Sequence, residues 1–229
     1  MKLAFKSARA KEIQAQSPQR RSRIRPILLA ATVLWLFAIS AGLSVLWGYE
    51  NAPGVGAKAP ASWPVASHIQ RATDRATLVM LAHPHCPCTR ASIGELALLM
   101  AQSQGRVTAY VLFLKPPGFS DEWEKTDLWQ SAAIIPGVNV LIDDDGVEAR
   151  RFHAATSGQT MLYDAGGRLL FSGGITGSRG HSGDNAGRSA IVSLLNTGAA
   201  ERADTFVFGC QLFGTNSECQ GSSYERNEH

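Results

Sequence analysis

The sequence predicts an α/β domain, with a central mixed sheet flanked by helices, behind one N-terminal transmembrane helix. Two observations lead to this fold class: a long uncharged run near the N-terminus, and strand-like and helix-like apolar patterns that alternate after it. The 229 residues, 45% of them hydrophobic, suffice for one domain of average size with a buried core. Four cysteines are too few to hold such a domain together, so we expect any important cysteine to act through its chemistry.

The positive charge of the chain is concentrated at its N-terminus. The formal net charge is +3, but eight of the 22 basic residues precede residue 26, where they oppose only Glu12. After residue 50 there are 14 basic and 17 acidic residues, a net charge of −3. The basic residues therefore form a terminal arm, and the sequence predicts no nucleic-acid partner.

Residues 26–49 are predicted to form a transmembrane helix that follows a basic cytoplasmic arm, residues 1–25. The uncharged run Ile27–Tyr49 crosses the roughly 30 Å hydrocarbon layer of a bilayer at about 1.5 Å per residue. The positive-inside rule places the arm in the cytoplasm, so we expect a single-pass bacterial inner-membrane protein with a periplasmic domain. A cleaved signal peptide is the alternative, because Ser40-Ala41-Gly42 offers small residues to a peptidase. In either case the domain enters a compartment where disulfides persist.

The exported part is predicted to contain a linker, a domain and a tail. Residues 50–64 are rich in Ala, Pro and Gly, which is typical of a tether. Residues 65–198 carry the periodic apolar pattern of the domain, and residues 199–229 form a tail with two cysteines. The expected strands are 77–82, 106–114, 138–142, 160–164 and 168–172, and the expected helices are 86–104, 121–135 and 188–196.

Each of these elements has its own local signal. Residues 77–82 are a continuous apolar run, typical of a strand buried on both faces, and the helix after it repeats apolar residues at helical spacing up to Gly105. Pro136-Gly137 ends the second helix, and Ala165-Gly166-Gly167 joins the last two strands as a hairpin. Gly198 is a natural cap for the last helix. Early alternation and a late hairpin predict a mixed sheet with helices on both faces.

The motif His83-Pro84-His85-Cys86-Pro87-Cys88-Thr89-Arg90 joins the first strand to the first helix. Proline prefers the first helical position, so Pro87 should make Cys86 the N-cap and Cys88 the second residue of the helix. Residues two apart in a regular helix point about 200° away from each other. A disulfide between these cysteines therefore requires the non-helical cap conformation at Cys86.

We expect Cys86 to be the exposed nucleophile and Cys88 to be the resolving thiol. Free backbone N–H groups and the helix dipole at this position lower the pKa of a thiol. Arg90 would add to that effect, as would His83 and His85 when protonated. The small ring closed by such a disulfide predicts a bond that is easily reduced.

Two other functions use the same residues. Two soft thiolates suit Cu(I), so a copper-binding or copper-delivery protein could use Cys86 and Cys88 with His83, His85 or His181. The cysteines can also be a structural pair in a non-catalytic binding module.

The chain resembles the thioredoxin superfamily, specifically the membrane-anchored, exported branch of thiol-disulfide oxidoreductases. The anchor, HPHCPCTRAS, GGITGSRGHSGDN and FGCQLF are together similar to bacterial RedB proteins. The resemblance implies a thioredoxin-like fold and an enzyme that needs no dissociable cofactor. Cys86 and Cys88 match the two redox cysteines, although one residue separates them where the family has two. The implied partners are protein thiols or disulfides, or a membrane electron donor.

The resemblance also brings three distant residues toward the cysteines. Gly158 stands where the family places the proline against which substrates dock, and a glycine allows close approach of another chain. Arg179 and His181 belong to the Gly-rich connection before the last helix, which lies beside the redox cysteines in this family. His181 can serve as a general acid or base there. An ordinary surface loop, with Asp184 or Asn185 as the helix cap, is the alternative.

Cys210 and Cys219 lie beyond the last predicted helix. A structural disulfide that pins the tail is one interpretation. The other is a second redox pair that exchanges electrons with Cys86 and Cys88. Four cysteines allow three pairings, and the sequence does not choose among them.

Overall fold

The structure is a computed structural model that describes residues 17–120 and 122–213, with side chains from residue 25 onward. The chain divides into two units between Tyr49 and Glu50. Helix α1, Ser17–Glu50, accounts for the described part of the first unit. Its segment Arg25–Glu50 is long and apolar enough to cross a membrane or to act as a signal sequence. Most of the basic arm expected at residues 1–25 lies outside the described residues.

The second unit is built on one five-stranded mixed sheet in the order β3-β2-β1-β4-β5. The central strand β1 is parallel to β2 and antiparallel to β4. Strand β3 is parallel to β2, and β5 completes a hairpin with β4. The strands are β1 (Ala76–Ala82), β2 (Val107–Lys115), β3 (Val138–Asp144), β4 (Gln159–Tyr163) and β5 (Leu169–Gly173). This topology confirms the expected thioredoxin-like α/β fold with a helix-flanked sheet.

One face of the sheet is covered by three helices. They are α2 (Pro87–Gln102), α3 (Asp127–Ala133) and α5 (Ala186–Thr197). Leu96 of α2, Leu128 of α3 and Ile191 of α5 join Met80 and Phe113 of the sheet in one apolar cluster. Six of the seven residues of β1 are buried, as its uninterrupted apolar sequence predicts for a strand covered on both faces.

The opposite face is covered mainly by extended chain, which the sequence did not predict. A short helix, α4 (Val147–Arg151), contributes Ala149 there. Part of the remainder comes from the expected linker, where Ala59 is buried and the Trp63 ring packs edge-on against Phe152 and Tyr163, and part from Ile69 and the tail residue Leu212. The expectation of a free tether at residues 50–64 is therefore wrong. A Pro- and Gly-rich composition also suits chain that lies flat on a sheet, so it could not separate the two cases.

The remaining differences from the predicted elements are local. The second helix was expected over residues 121–135, but α3 covers only Asp127–Ala133, after turns at residues 122–124. Helix α4 is only one turn long and follows the acidic turn, where no helical period is visible. The caps of α5 agree with expectation, since Asn185 accepts a hydrogen bond from Arg188 N–H and Gly198 has φ of 77°.

Candidate functional site

Cys86 is the N-cap of α2, as the position of the proline predicts. Its backbone is extended, with φ of −85° and ψ of 117°, and Pro87 begins the helix. The carbonyl of Cys86 accepts a hydrogen bond from Thr89 N–H, while its own N–H donates to the His83 carbonyl. The tight turn between β1 and α2 thereby sets the sulfur at the positive end of the helix.

The Cys86 sulfur receives several hydrogen bonds that favour its charged form. The Cys88 thiol donates the strongest of them, and the backbone N–H of Cys210 and both the side chain and backbone of Thr89 add to it. Burial opposes ionisation but is outweighed, so the pKa of Cys86 falls from an ordinary value of 9.0 to about 5. At neutral pH this sulfur is a thiolate.

Cys88 has the opposite character. Its pKa is raised because its proton is held in the hydrogen bond to Cys86, and burial and the Cys86 charge act in the same direction. The Arg179 guanidinium opposes them through its charge and a hydrogen bond to the Cys88 sulfur. Both cysteines are free thiols, so the structure is that of the reduced pair. The two sulfurs have distinct roles, one charged and one holding a proton.

Cys86 is not exposed, contrary to expectation. Its accessible surface is 0% of the reference value, whereas Cys88 is partly exposed. Cys86 belongs to neither apolar cluster of the sheet, and the groups at its sulfur are polar or contain sulfur. Part of this cover comes from the tail, because Cys210 Sγ lies 3.0 Å from Cys86 Sγ. The burial was not predictable locally, since the two residues are 124 positions apart.

Arg179 contacts Cys88, whereas the expected contact was with Cys86. Its backbone N–H donates to the Glu50 carbonyl, and its guanidinium donates to the carbonyls of Ala52 and Gly209 at 3.1 and 2.9 Å. One side chain therefore joins Ala52, Gly209 of the tail and the Cys88 sulfur. These backbone contacts hold the charge beside Cys88.

The loop that carries Arg179 is fastened to α2 by a buried ion pair. Glu95, with no exposed surface, accepts hydrogen bonds from Arg188, from Asn185 Nδ2 at 3.0 Å and from Gly183 N–H at 2.7 Å. These contacts join the middle of α2 to the loop before α5 and to the first turn of α5. The sequence analysis missed Glu95, although an acidic residue in the middle of an apolar helical face was a visible signal.

His181 does not join the cysteines. Its exposed ring lies 3.5 Å from the Glu50 carboxylate. Within residues 17–120 and 122–213, no group of three or more His, Cys, Asp or Glu side chains is placed to hold a metal ion. The described structure thus offers no ligand set for the copper alternative built on Cys86, Cys88 and a histidine.

His83 and His85 both stack with an aromatic side chain. Both rings pack against Trp123, at centroid distances of 5.5 and 4.7 Å. His83 is buried, and burial followed by the neighbouring His85 lowers the pKa of His83 to about 4. His83 is neutral at pH 7, so the expectation that its charge stabilises the thiolate is wrong. Trp123 thus packs against both histidines of the turn that carries the cysteines.

Arg90 also lies apart from the thiol chemistry. Its guanidinium forms an exposed ion pair with Asp127 at the start of α3. The position of Arg90 in the first turn suggested an effect on the thiolate. Because residue 86 has the extended cap conformation, its side chain does not share the helix face of residue 90.

Gly158 lies on the loop before β4, beside the cysteines. Its φ is 87°, and a Cβ atom there would lie 2.9 Å from Ser92 Oγ, so a glycine is required. The preceding Ser157 contributes Oγ to a hydrogen-bond chain, accepting from His83 N–H and pairing with Thr89 Oγ1, both at 2.8 Å. Ser157 and Thr89 were not predicted, although both lie next to residues that were.

The backbone of this loop is already paired with the tail. Ser157 N–H donates to the Cys210 carbonyl at 2.8 Å, and Leu212 N–H donates to the Ala155 carbonyl at 2.9 Å. Cys210 is disulfide-bonded. Cys219 lies outside the described residues, so its expected pairing with Cys210 stays a prediction.

Comparison with known proteins establishes the fold. An uncharacterised conserved protein from Geobacillus kaustophilus aligns over 72% of this chain and 99% of its own, with a TM-score of 0.54 and 19% identity. A hypothetical protein, SMc02350 from Sinorhizobium meliloti 1021, aligns over 68% of this chain and 96% of its own, with a TM-score of 0.55 and 16% identity.

A more distant match is StoA from Bacillus subtilis, at a TM-score of 0.37 and 11% identity over 53% of this chain and 89% of its own. No family model matches the chain. No curated protein matches it at a significant level. The Geobacillus kaustophilus and Sinorhizobium meliloti structures show a shared fold, and at these identities they assign no activity.

Proposed function

We propose that this chain is a membrane-anchored, extracytoplasmic thiol-disulfide oxidoreductase. Cys86 is the nucleophile and Cys88 the resolving thiol. The observation that carries the proposal is the hydrogen bond between two free thiols at a helix N-terminus, which leaves Cys86 charged and Cys88 protonated. Helix N-termini and hydrogen-bond donors are the surroundings that make a cysteine reactive. The resemblance to RedB proteins is consistent with this activity and remains a prediction.

The reaction needs two exchange steps. The Cys86 thiolate attacks one sulfur of a substrate disulfide and displaces the other, which leaves as a thiolate and takes up a proton. Cys88 then loses its proton and attacks the Cys86 sulfur of the mixed disulfide, releasing the second substrate sulfur. The substrate has gained two electrons and two protons, and Cys86 and Cys88 are joined. The reverse sequence oxidises a substrate dithiol.

The pair is arranged so that Cys88 becomes active only when it is needed. While Cys86 is a thiolate, its charge and hydrogen bond hold the proton on Cys88. Once Cys86 is bonded to a substrate sulfur, both of these causes of the raised Cys88 pKa disappear. Arg179 remains beside Cys88 and favours its thiolate. Ionisation of the resolving thiol therefore follows formation of the mixed disulfide.

The activity can be tested on the full chain in detergent micelles with oxidised glutathione as the disulfide. In a chain that also carries Cys210→Ser and Cys219→Ser, we expect Cys88→Ser to accumulate a glutathione adduct on Cys86, visible by mass mapping, because no second thiol resolves it. Wild type should instead pass to a Cys86–Cys88 disulfide, and Cys86→Ser should do neither. An unmodified Cys86 in Cys88→Ser, even after Cys210 and Cys219 are replaced by Ser, would refute the proposal.

The location can be tested separately in intact bacterial cells. The proposal places residues 50–229 outside the cytoplasm, held by the apolar segment Arg25–Glu50 of α1. A membrane-impermeant maleimide should then label a cysteine introduced at the exposed Phe206, in a chain that otherwise lacks cysteine. The fraction of full-length protein in washed membranes distinguishes an anchor from a cleaved signal sequence.

A further inference from the structure

The tail segment, residues 209–212, lies across the loop that precedes β4. It pairs with residues 155–157 in the antiparallel sense, with a bridge between Thr156 and Gln211. The contact is close, since a Cβ atom on Gly209 would lie 2.0 Å from the Ser157 carbonyl oxygen. Arg179 adds a hydrogen bond to the Gly209 carbonyl at 2.9 Å. The tail is thus held in a defined register, which fixes where its cysteine falls.

That register puts Cys210 directly on Cys86. The two Sγ atoms are 3.0 Å apart, and the Cys210 N–H donates a hydrogen bond to the Cys86 sulfur. Near-attack geometries have reacting atoms about 3–3.5 Å apart. Cys210 is disulfide-bonded, whereas Cys86 and Cys88 are free. A thiolate is therefore held in contact with one sulfur of a disulfide, which is the arrangement that precedes thiol-disulfide exchange.

We propose that the Cys210 disulfide is an internal redox partner of the Cys86–Cys88 pair. This inference rests on the proposed function of Cys86 as the reactive sulfur. In the exchange, the Cys86 thiolate attacks Cys210 Sγ and displaces the sulfur to which Cys210 is bonded, which is Cys219 in one interpretation of the sequence. The displaced thiolate takes up a proton. Cys88 loses a proton and attacks Cys86, releasing Cys210 as the second tail thiol. Two thiols and one disulfide are present before and after.

The surroundings of Cys86 favour one direction of this exchange. Hydrogen bonds that stabilise a thiolate stabilise the reduced pair, and a stabilised reduced form makes the corresponding disulfide a stronger oxidant. This exchange therefore favours the reverse direction, in which electrons pass from the tail thiols to the Cys86–Cys88 disulfide and the disulfide comes to rest at Cys210.

The burial of Cys86 then has a chemical role. An external disulfide cannot reach a sulfur with no exposed surface while the tail segment lies over it. The tail cysteine Cys210, which is itself partly exposed, occupies the position that an external sulfur would take. The partner class is thus a dithiol or disulfide that reacts with the tail cysteines, or one that reaches Cys86 after the tail has moved.

The first test uses the full chain in detergent with only two cysteines left, as Cys88→Ser/Cys219→Ser. Under oxidised glutathione we expect a single intramolecular Cys86–Cys210 disulfide, formed at least tenfold faster than in the same variant with Gly209→Ala. Gly177→Ala is the matched control, because a Cβ at the exposed Gly177 meets no atom within 4 Å. Glutathione adducts on both cysteines, with no bond between them, would overturn the inference. The adduct on Cys86 would in that case still support the proposed function.

The second test follows exchange in wild type. The reduced chain is given one equivalent of a two-electron thiol oxidant, and samples are quenched in acid, alkylated and mapped over time. We expect the disulfide to collect at Cys210 and to exceed the Cys86–Cys88 disulfide at least tenfold. Disulfides that stay where they first form would overturn the inference. If Cys86 reacts with neither glutathione nor Cys210, the proposed function falls together with it.

Discussion

The Cys88 thiol donates a hydrogen bond to the Cys86 sulfur, and this one bond moves the pKa values of the two residues in opposite directions. It is the largest influence on both groups. Burial alone would raise the pKa of both thiols, so the asymmetry of the pair arises from their mutual contact and from the donors at Cys86.

The first prediction concerns the titration of that contact. In the reduced wild type, the ultraviolet absorbance of thiolate should fall with a midpoint near pH 5, the pKa of Cys86. Cys88→Ala removes the strongest donor, so we expect the midpoint to rise by about one pH unit or more. His85→Ala, which changes a ring stacked on Trp123, is the control and should leave the midpoint in place. An unchanged midpoint in Cys88→Ala would contradict the described hydrogen bond.

Stability of the reduced chain should depend on pH in two windows. The folded Cys86 has a pKa of about 5 against 9.0 for the ordinary thiol, so between these values the unfolded chain binds a proton that the folded chain does not. Stability is therefore lost as pH falls from about 9 to 5. His83, with a folded pKa of about 4 against 6.5, extends the loss from pH 6.5 to 4. Tryptophan fluorescence during urea unfolding measures the free energy of unfolding at each pH. Cys86→Ala should remove its pH dependence between about pH 6.5 and 9 and leave the part due to His83.

Arg179 should control the second exchange step. Arg179→Gln removes the charge that lowers the pKa of Cys88, so we expect release of glutathione from the Cys86 adduct to slow by about tenfold at neutral pH. The rate is measured by rapid acid quench and mass mapping. Arg90→Gln is the matched control, since Arg90 pairs with Asp127 at the surface. Equal rates in the two variants would show that Arg179 has no part in resolution.

The buried pair Glu95 and Arg188 should matter for stability. Arg188→Met leaves the Glu95 carboxylate buried without its cation, so we expect a loss of about 3–5 kcal/mol in the free energy of unfolding. Arg75→Ala, which breaks an exposed pair with Asp74, should leave the free energy of unfolding unchanged. Urea unfolding of the two variants and of wild type measures both changes in the free energy of unfolding. Adding Glu95→Leu to Arg188→Met should recover part of the loss.

The tail segment should govern access to Cys86. Gly209→Ala forces its Cβ against the Ser157 carbonyl, so the segment must shift away from the loop. We expect a bulky maleimide to label Cys86 in this variant at least about tenfold faster than in wild type, because covered thiols react only when the cover opens. Gly177→Ala should label at the wild-type rate. Identical slow labelling in both variants would mean that the tail does not cover the sulfur.

The strand-to-helix turn was predictable because its signals are local. Pro87 marks the first residue of α2. That position alone makes Cys86 the N-cap and Cys88 the second residue of the helix. The positions of the strands along the chain followed from apolar runs and the glycines between them. These signals act within a few residues of each other, so a single sequence contains them.

The contact between the tail and Cys86 was not predictable, because it has no local signal in the sequence. Cys210 reaches Cys86 through backbone pairing between residues 209–212 and 155–157, and backbone pairing leaves little trace in side-chain pattern. Only Gly209, small where two chains approach, was a visible signal. The role of Arg179 depended on three carbonyls from distant segments, which no periodicity indicates.

The segment that lies on the second face of the sheet decides where a shortened chain should start. Cutting at residue 65, where the composition changes, would remove the Trp63 ring from Phe152 and Tyr163 and strip the carbonyls of Glu50 and Ala52 from Arg179. A soluble version that begins at residue 50 keeps all of these partners. Production of this domain for crystallisation therefore depends on retaining a stretch that looks dispensable in the sequence.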